Sequence, residues 1–420
     1  MSWTATRLKH LCVDAGQYGL NVAAQDYTSS GHRLIRTSDI DENGGLRSRE
    51  NAVFIDTSLD SRHELKDGDL LLSRSGTLGR AMLLRDLEEP STYAGYLVRF
   101  RPRPSVEPRF MAYLAASRLF QAAIEADAVT STIQNFNAER YANIAVSLPT
   151  IDEQRRIADF LDAETARIDQ LVSSMSGSLN LLQAKRRALL MSIFPDSECG
   201  SARLGYYLDL VTSGPRGWGE YVGSKGTPFF RSANLRRDSI DPNLESLALV
   251  DVPPSASAEA QRSMVRVGDV LIGITGANTG WVSLVDRRIA QANVSQHVCL
   301  ARPSKAVEGR WLAYALSAPQ VQELLLGSQY GGTKTQLSLG DIRDLVVTLP
   351  SVDEQRRLVA DIDKGLAVIT AESALRNDQL ALLAERRQAL ITAAVTGQID
   401  VTTARGVDTS GLSLAGGGSA

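Results

Sequence analysis

The sequence predicts an α+β protein: two mixed α/β globular domains separated by two long antiparallel coiled-coil helices, with pseudo-twofold symmetry. Three observations point there: a duplicated helix-opening block, an apolar row after each copy, and short strand-like runs ahead of each. The block Leu148-Pro-Thr-Ile-Asp-Glu-Gln-Arg-Arg-Ile157 recurs as Leu349-Pro-Ser-Val-Asp-Glu-Gln-Arg-Arg-Leu358. Before it, Gly68-Asp69-Leu-Leu-Leu-Ser-Arg-Ser75-Gly76 faces Gly268-Asp269-Val-Leu-Ile-Gly-Ile-Thr275-Gly276, and Arg109-Phe110 with Tyr113 faces Arg310-Trp311 with Tyr314. The resulting order is a globular domain at 1–150, a long helix at 151–195, a second globular domain at 196–349, a second long helix at 350–400 and a flexible tail at 401–420.

Within the globular parts, Leu70–Ser73, Ala81–Leu84 and Leu97–Arg101 read as strands, as do Val270–Ile274, Val282–Val285 and Val298–Arg302. One helix follows each set, around 108–125 and 308–326. Thr150-x-x-Glu153 and Ser351-x-x-Glu354 match the reciprocal capping box after a proline, so a long helix starts at each. The first helix carries Leu161, Ile168, Met175, Leu182 and Leu189 every seventh residue, with Ile157 and Leu171 in the alternate row and Glu164, Ser178 and Lys185 weakening it. The second offers Leu358, Ile362, Leu366, Ile369, Leu380, Leu383 and Leu390, broken by Gly365 and Arg376. Each is the natural mate of the other, as an antiparallel pair roughly 60 Å long at ~1.5 Å per residue, with a globular domain near each end.

Composition narrows the function. With 420 residues, 22% charged and 43% hydrophobic, the chain has enough apolar content for more than one core. No apolar run reaches the ~18 residues of a membrane span, and the first residues lack a secretory leader's layout, so a cytoplasmic protein is expected. Cys12, Cys199 and Cys299 form no C-x-x-C, and His10, His32, His63 and His297 are scattered, which argues against a metal module or disulfide framework. The net charge is −3, and no segment is a polycation. DNA binding must then come from local Arg and Lys placement, weak and salt-sensitive for the chain alone and strong in a complex.

Catalytic motifs do not accumulate. Gly273-Ile-Thr-Gly276-Ala-Asn-Thr-Gly280 precedes a strand-like run rather than a helix and lacks Gly-Lys-Ser/Thr, so it reads as a hairpin turn and not a phosphate loop. An adenine methyltransferase would need a cofactor loop and an Asn/Asp-Pro-Pro-aromatic tetrapeptide, yet the lone Pro253-Pro254 is followed by Ser255. A nuclease would need clustered carboxylates; Asp67-Gly68-Asp69 becomes Val267-Gly268-Asp269 in the second copy. Groups suited to DNA are better represented, since Arg, Lys, Asn and Gln reach base edges and small hydroxyls hold phosphates. The candidates are Arg33, Arg36, Ser38, Arg74, Ser75, Thr77, Ser131, Thr132, Gln134 and Asn135 in the first half, and Lys225, Arg231, Asn234, Thr275, Asn278, Thr279, Thr333, Lys334 and Gln336 in the second. Arg99, Arg101 and Arg103 share one face of an extended strand, either a phosphate track or a solvated face.

Leu-Pro-x-x-x-Glu-Gln-Arg-Arg, twice, each after a Gly-Asp-apolar hairpin and a loop such as Ser131-Thr-Ile-Gln134, resembles the specificity (S) subunit of type I restriction-modification systems over about residues 1–400. The resemblance implies two target-recognition domains, each reading half of a split double-stranded DNA site, and helices that set the spacer between the halves. It implies no catalytic residue or cofactor in this chain. S-adenosylmethionine would sit in two methylation (M) subunits, with ATP and Mg in a motor-nuclease (R) subunit where one is present. Glu153, Gln154, Arg156, Glu354, Gln355 and Arg357 are expected to dock the methylation subunits, the part of the motif that capping leaves unexplained. The competing readings are a catalytic DNA methyltransferase or nuclease and a coiled-coil scaffold that binds protein.

Overall fold

The structure, a computed structural model, describes residues 3–41, 44–128, 135–194, 200–327 and 336–401. The expected tail at 401–420 lies outside them except for its first residue. The chain divides into two compact units, residues 1–175 with 378–420 and residues 176–377. Each unit therefore contains one globular domain, the first part of the long helix that follows it and the last part of the other long helix.

In the first unit the strands are β1 (Thr4–Arg7), β2 (Gln17–Tyr18), β3 (His32–Ile35), β4 (Val53–Ile55), β5 (Leu70–Ser73), β6 (Ala81–Leu83), β7 (Ser91–Tyr93), β8 (Leu97–Phe100) and β9 (Ala145–Leu148). The helices are α1 (Leu8–Leu11), α2 (Pro108–Ala116), α3 (Arg118–Ala128), α4 (Ala138–Asn143) and α5 (Ile151–Met191). An antiparallel sheet runs β2-β8-β5-β6, and a smaller one runs β4-β3-β7 with β3 parallel to β7. Pairing of β1 with β9, from Thr4↔Leu148 to Arg7↔Ala145, ties the start of the domain to its end and delivers the chain into α5. The core joins Leu70, Leu72, Phe100, Phe110 and Tyr141 to Ile157 and Leu161 of α5.

The second unit repeats the plan. Its strands are β10 (Ser201–Arg203), β11 (Leu208–Ser213), β12 (Val222–Gly223), β13 (Thr227–Phe230), β14 (Ala248–Val250), β15 (Val270–Gly273), β16 (Val282–Leu284), β17 (Asn293–Val294), β18 (Val298–Pro303) and β19 (Val346–Thr348). Its helices are α6 (Ser257–Ser263), α7 (Gly309–Ser317), α8 (Pro319–Gly327), α9 (Leu339–Asp344) and α10 (Val352–Val395). The sheets run β11-β18-β15-β16 and β12-β14-β13-β17, and β10 pairs with β19 as β1 does with β9.

All six runs read as strands from the sequence are strands, with ends shifted by a residue. The helices expected around 108–125 and 308–326 are each broken in two. Ser117 and Ala318 are extended (ψ 151° and 139°). The Ser117 hydroxyl donates to the Leu114 carbonyl at 2.6 Å and accepts from the Phe120 amide at 3.3 Å, replacing helix bonds with a local turn. At Ala318 the following Pro319 forbids helical backbone by its ring.

The strongest repeated feature is the joint between domain and long helix. Gln154 is 1% exposed and Gln355 fully buried. The Gln154 side-chain carbonyl accepts from the Glu107 amide at 2.9 Å while its NH2 donates to the Pro149 carbonyl at 2.9 Å. Gln355 accepts from the Glu308 amide at 2.7 Å and donates to the carbonyls of Pro350 (2.9 Å) and Ala306 (3.1 Å). About two turns further on, Asp162 accepts from Arg109 (2.9 Å) and Tyr113 (2.6 Å), as Asp363 accepts from Arg310 (2.8 Å) and Tyr314 (2.5 Å). The capping boxes are only half made. The hydroxyls of Thr150 and Ser351 accept from the amides of Glu153 (3.4 Å) and Glu354 (3.3 Å). The Glu153 carboxylate instead accepts from the Trp3 indole at 3.1 Å, and Glu354 pairs with Arg357 at 2.6 Å.

Within each unit the two helix segments run antiparallel. In the first, Ile157 and Leu161 pack with Ile391, Ala394 and Val395, and Asp169 pairs with Arg387. In the second, Leu190 packs with Val359, Ile362 and Leu366. Gly365, which looked like a break in the seam, is its closest approach: a Cβ there would lie 2.6 Å from the Leu189 side chain. Leu171 is 42% exposed and lies off the seam, whereas Glu164 and Thr165 are buried in it.

Gln154→Leu, which keeps the volume and strands the Glu107 amide and Pro149 carbonyl, is expected to lower stability by ~1–3 kcal/mol; chemical denaturation read with hydrogen exchange at Glu107 checks it, and unchanged protection would contradict it. Burial pushes the thiols of Cys12 and Cys299 up to about 12. Because the thiolate is the reactive form, neither should be alkylated by iodoacetamide at pH 8 in the native chain, and both should react after denaturation, as peptide mapping would show.

Candidate nucleic-acid interface

The candidate residues fall into three kinds of place. The first is the hairpin loop between β5 and β6. Arg74 lies here with its guanidinium 4.7 Å over the Tyr18 ring, its Nε donating to Asn135 Oδ1 at 3.2 Å and its Nη1 to the Gly95 carbonyl at 3.4 Å. Its backbone is pinned on both sides, by the Tyr96 carbonyl (3.0 Å) and the Phe136 amide (2.9 Å). Beneath the loop the buried Tyr141 hydroxyl donates to the Ser73 carbonyl at 2.6 Å and accepts from the Gly79 amide at 2.9 Å. Arg74, Ser75, Thr77 and Asn135 are thus brought together on a braced edge, half-buried to exposed. Ser131, Thr132 and Gln134 lie outside the described residues.

The hairpin between β15 and β16 is the corresponding place in the second unit. The Thr275 hydroxyl and His297 Nδ1 are 2.5 Å apart, and His297 Nε2 is 3.0 Å from Gln296. Thr275 forms a backbone bridge with the exposed Gln336. Asn278 donates to the Ser232 carbonyl at 2.8 Å. Thr279 turns inward, buried, with its hydroxyl on the Gly276 carbonyl at 2.7 Å. Thr333 and Lys334 lie outside the described residues.

Short 3-10 turns after β3 and β13, with β3 itself and the turn before β13, hold the rest. Arg36 donates to Asp39 through Nε (3.1 Å) and Nη2 (3.0 Å), and to the Asn51 carbonyl at 2.9 Å. Hydrogen bonding to that carboxylate raises its already high pKa, so the charge is permanent and internally paired. Arg33 lies 3.6 Å from Glu89, and Ser38 is exposed. Arg231 donates to the Ser246 carbonyl at 3.1 Å. Asn234 is not available to DNA: it is fully buried, its amide NH2 on the Asn243 carbonyl (2.8 Å) and its oxygen on the Arg231 amide (2.8 Å). Lys225 is exposed in the turn between β12 and β13.

In the arginine row, Arg99 and Arg101 are tied up in ion pairs with carboxylates, and Arg103 is exposed. Arg101 makes a bidentate pair with buried Asp69 (2.7 and 2.7 Å), and Arg302 does the same with Asp269 (2.9 and 2.7 Å). Arg99 is buried against Asp14 at 2.8 Å, and Arg103 donates to the Cys12 carbonyl at 2.7 Å. Each Gly-Asp is a turn, with positive φ at Gly68 (88°) and Gly268 (92°), followed by an anchor for arginine rather than a metal-binding carboxylate. Among the described residues no three His, Cys, Asp or Glu side chains gather as a metal site, and no helix is long and apolar enough to cross a membrane.

Of the helix-start residues expected to dock a partner, Gln154 and Gln355 are excluded by burial at the joints described above. Arg156 and Arg357 are exposed, and Glu153 and Glu354 are partly exposed. Tyr18, Tyr96 and Gln296 went unnoticed in the sequence, and His297 was read only as one of four scattered histidines. Tyr96 is 66% exposed at the turn into β8, and His297 stands at the same place before β18. A large side chain one residue ahead of an apolar strand was the available signal.

Comparison with known proteins agrees with this geometry. The sequence profile for the type I restriction modification DNA specificity domain matches residues 35–172. The type I restriction enzyme EcoBI specificity subunit of Escherichia coli is 23% identical over 306 residues, covering 67% of this chain and 64% of that protein, so the match spans under two thirds of that relative's length. The EcoKI specificity subunit of Escherichia coli strain K12 is 21% identical over 411 residues, covering 91% of this chain and 85% of that one. A solved structure titled as the basis of complex assembly and conformational transition of the type I R-M system superposes with a TM-score of 0.74 at 20% identity, over 95% of this chain and 98% of that one. At that identity the superposition speaks for the fold alone. Residues 35–172 thus match the type I restriction modification DNA specificity domain, and along most of its length the chain is similar to type I specificity subunits.

Proposed function

We propose that the chain is the DNA-recognition subunit of a type I restriction-modification complex in the cytoplasm, each unit reading one half of a bipartite target. One observation carries this reading. The two units share the order of the main four-stranded sheet and the Gln, Arg, Tyr and Asp joint to the long helices, yet differ at the braced edge, where Arg74, Tyr96 and Asn135 correspond in place to Ile274, His297 and Gln336. A common scaffold with divergent edge chemistry suits two readers of different base pairs, because base edges are told apart by donor and acceptor pattern.

The chain leaves bond-making to its partners. Two methylation subunits bring S-adenosylmethionine, and a motor-nuclease subunit, in a system that cleaves, brings ATP and Mg. The exposed Arg156 and Arg357, one at the start of each long helix, are the docking points for the methylation subunits, supported by their duplication and exposure. The helices set the spacer between the half-sites.

Selection from a random duplex library by the assembled complex should return two short conserved blocks around an unspecified spacer; a single continuous motif or no enrichment would refute the reading. Arg74→Ala should weaken binding by ~5–150-fold, the worth of a lost base contact of about 1–3 kcal/mol, and relax preference in one block only. Removing one heptad from both α5 and α10 should change the spacer and leave both blocks intact, and altered blocks with an intact spacer would contradict the role given to the helices.

A further inference from the structure

The main sheet of each unit ends on its hairpin strand, β6 or β16, and the two ends differ. The amides of Leu84 and Val285 point inward, to the carbonyls of Asp69 (2.9 Å) and Asp269 (2.8 Å), so by the alternation of an antiparallel ladder those of Leu83 and Leu284 point away from the sheet. In the second unit the chain covers that edge itself. The Leu284 amide donates to the Ile240 carbonyl at 2.8 Å, the Ser283 hydroxyl donates to the same oxygen at 3.1 Å, and Ile240 is buried in the core. In the first unit the corresponding loop carries Gly44 and Gly45 and closes on itself, the Asp41 amide donating to the Gly45 carbonyl at 2.9 Å. Gly44 reaches Ala81, where a Cβ would lie 2.5 Å from the carbonyl. Among the described residues nothing accepts from the outward amide of Leu83.

That open edge lines a groove of about 1110 Å3 lying wholly within the first unit. The helices α2, α5 and α10 contribute Ala112, Ala116, Ala166, Ala384 and Ile391 to it, side chains small or apolar enough to admit a polypeptide backbone alongside β6. An uncovered strand edge is a template for one more strand, and proteins cover or block such edges. Outward main-chain groups pair with an extended polypeptide, so the groove fits a peptide segment rather than a nucleic acid.

We propose that the groove receives the chain's own last segment, residues 402–420, which adds Leu412-Ser413-Leu414 as a strand beside β6. The segment starts in the right unit: Val401 is half-buried against the same core that contains Ile391, a groove residue. It also reaches. Helix α10 ends at Val395, so four helical steps of ~1.5 Å and six of at most ~3.5 Å place Val401 within about 27 Å of Ile391, while the stretch from Val401 to Leu412 spans about 36 Å when extended. Its sequence suits the place, because Leu412-Ser413-Leu414 alternates as a half-buried strand does, which turns both leucines to the helix alanines and Ser413 away from them. The second unit needs no such strand, since Ile240 already closes its edge. The inference concerns main-chain pairing alone and stands apart from the reading of the chain as a DNA-recognition subunit.

Hydrogen exchange resolved to single amides tests it on the full chain and on a chain ending at Val401. Leu83 should be protected in the full chain and should exchange at least about tenfold faster after the deletion, while Met82 and Leu284 keep their rates and so report that both units remain folded. Leu412→Asp with Leu414→Asp, in the full-length chain, should expose Leu83 in the same way, and a peptide spanning residues 409–415 should restore its protection in the shortened chain. Rapid exchange at Leu83 in the full chain, or protection that survives the deletion, would overturn the proposal. Protection that appears only when partner subunits are added would give the edge to another polypeptide and overturn it equally.

Discussion

The structure depends on a side-chain amide at the base of each long helix. Gln154 and Gln355 each join the carbonyl of the proline preceding the helix to the amide of the residue that caps the next helix of the globular domain. Both ends of the amide are satisfied and shielded from water, so the helix cannot swing without breaking two buried hydrogen bonds at once. The Asp162 and Asp363 clusters add a second point of attachment about two turns along, which fixes rotation as well as position. A recognition unit attached this way presents its edge at a defined azimuth on its own helix segment, a requirement for reading bases that recur with a fixed helical pitch.

That joint also explains which parts of the duplication stayed recognisable. Glu, Gln, Arg and Arg stand in both copies beside a Leu-Pro, and the structure accounts for the glutamine by its simultaneous use as acceptor and donor to buried backbone groups. The hairpin residues are held by backbone bonds from Tyr96 to Arg74 and from His297 to Ile274, which are indifferent to side-chain type. The scaffold can therefore exchange Arg74 for Ile274 without moving the loop.

Much of the architecture was legible because it is written in local chemistry. Proline followed by a hydroxyl residue marks each long helix, and Gly-Asp ahead of three apolar residues marks β5 and β15. The errors came from interactions distant in sequence. Arg99, Arg101 and Arg103 alternate as a solvated strand would, but Asp14 and Asp69 draw the first two inward, while Arg103 stays exposed with its Nε donating to the Cys12 carbonyl. Asn234 has the chemistry of a base reader and is spent on holding its own loop. Gly365 weakens a heptad count yet makes room for Leu189, which only the facing helix reveals. The same limit applied to the candidate edge: Arg74 and Asn135 were legible by residue type, whereas Tyr18, Tyr96 and His297 gain meaning only once the turns place them alongside.

The division of each long helix between units has a consequence for biosynthesis. Ile157 and Leu161 of the first unit pack against Ile391, Ala394 and Val395. That partner emerges more than two hundred residues later, some 10–50 s at a translation rate of about 5–20 residues per second. During that interval the apolar stripe on the outgoing helix of the first domain lacks its mate, so this core closes only after residues 391–395 have been made.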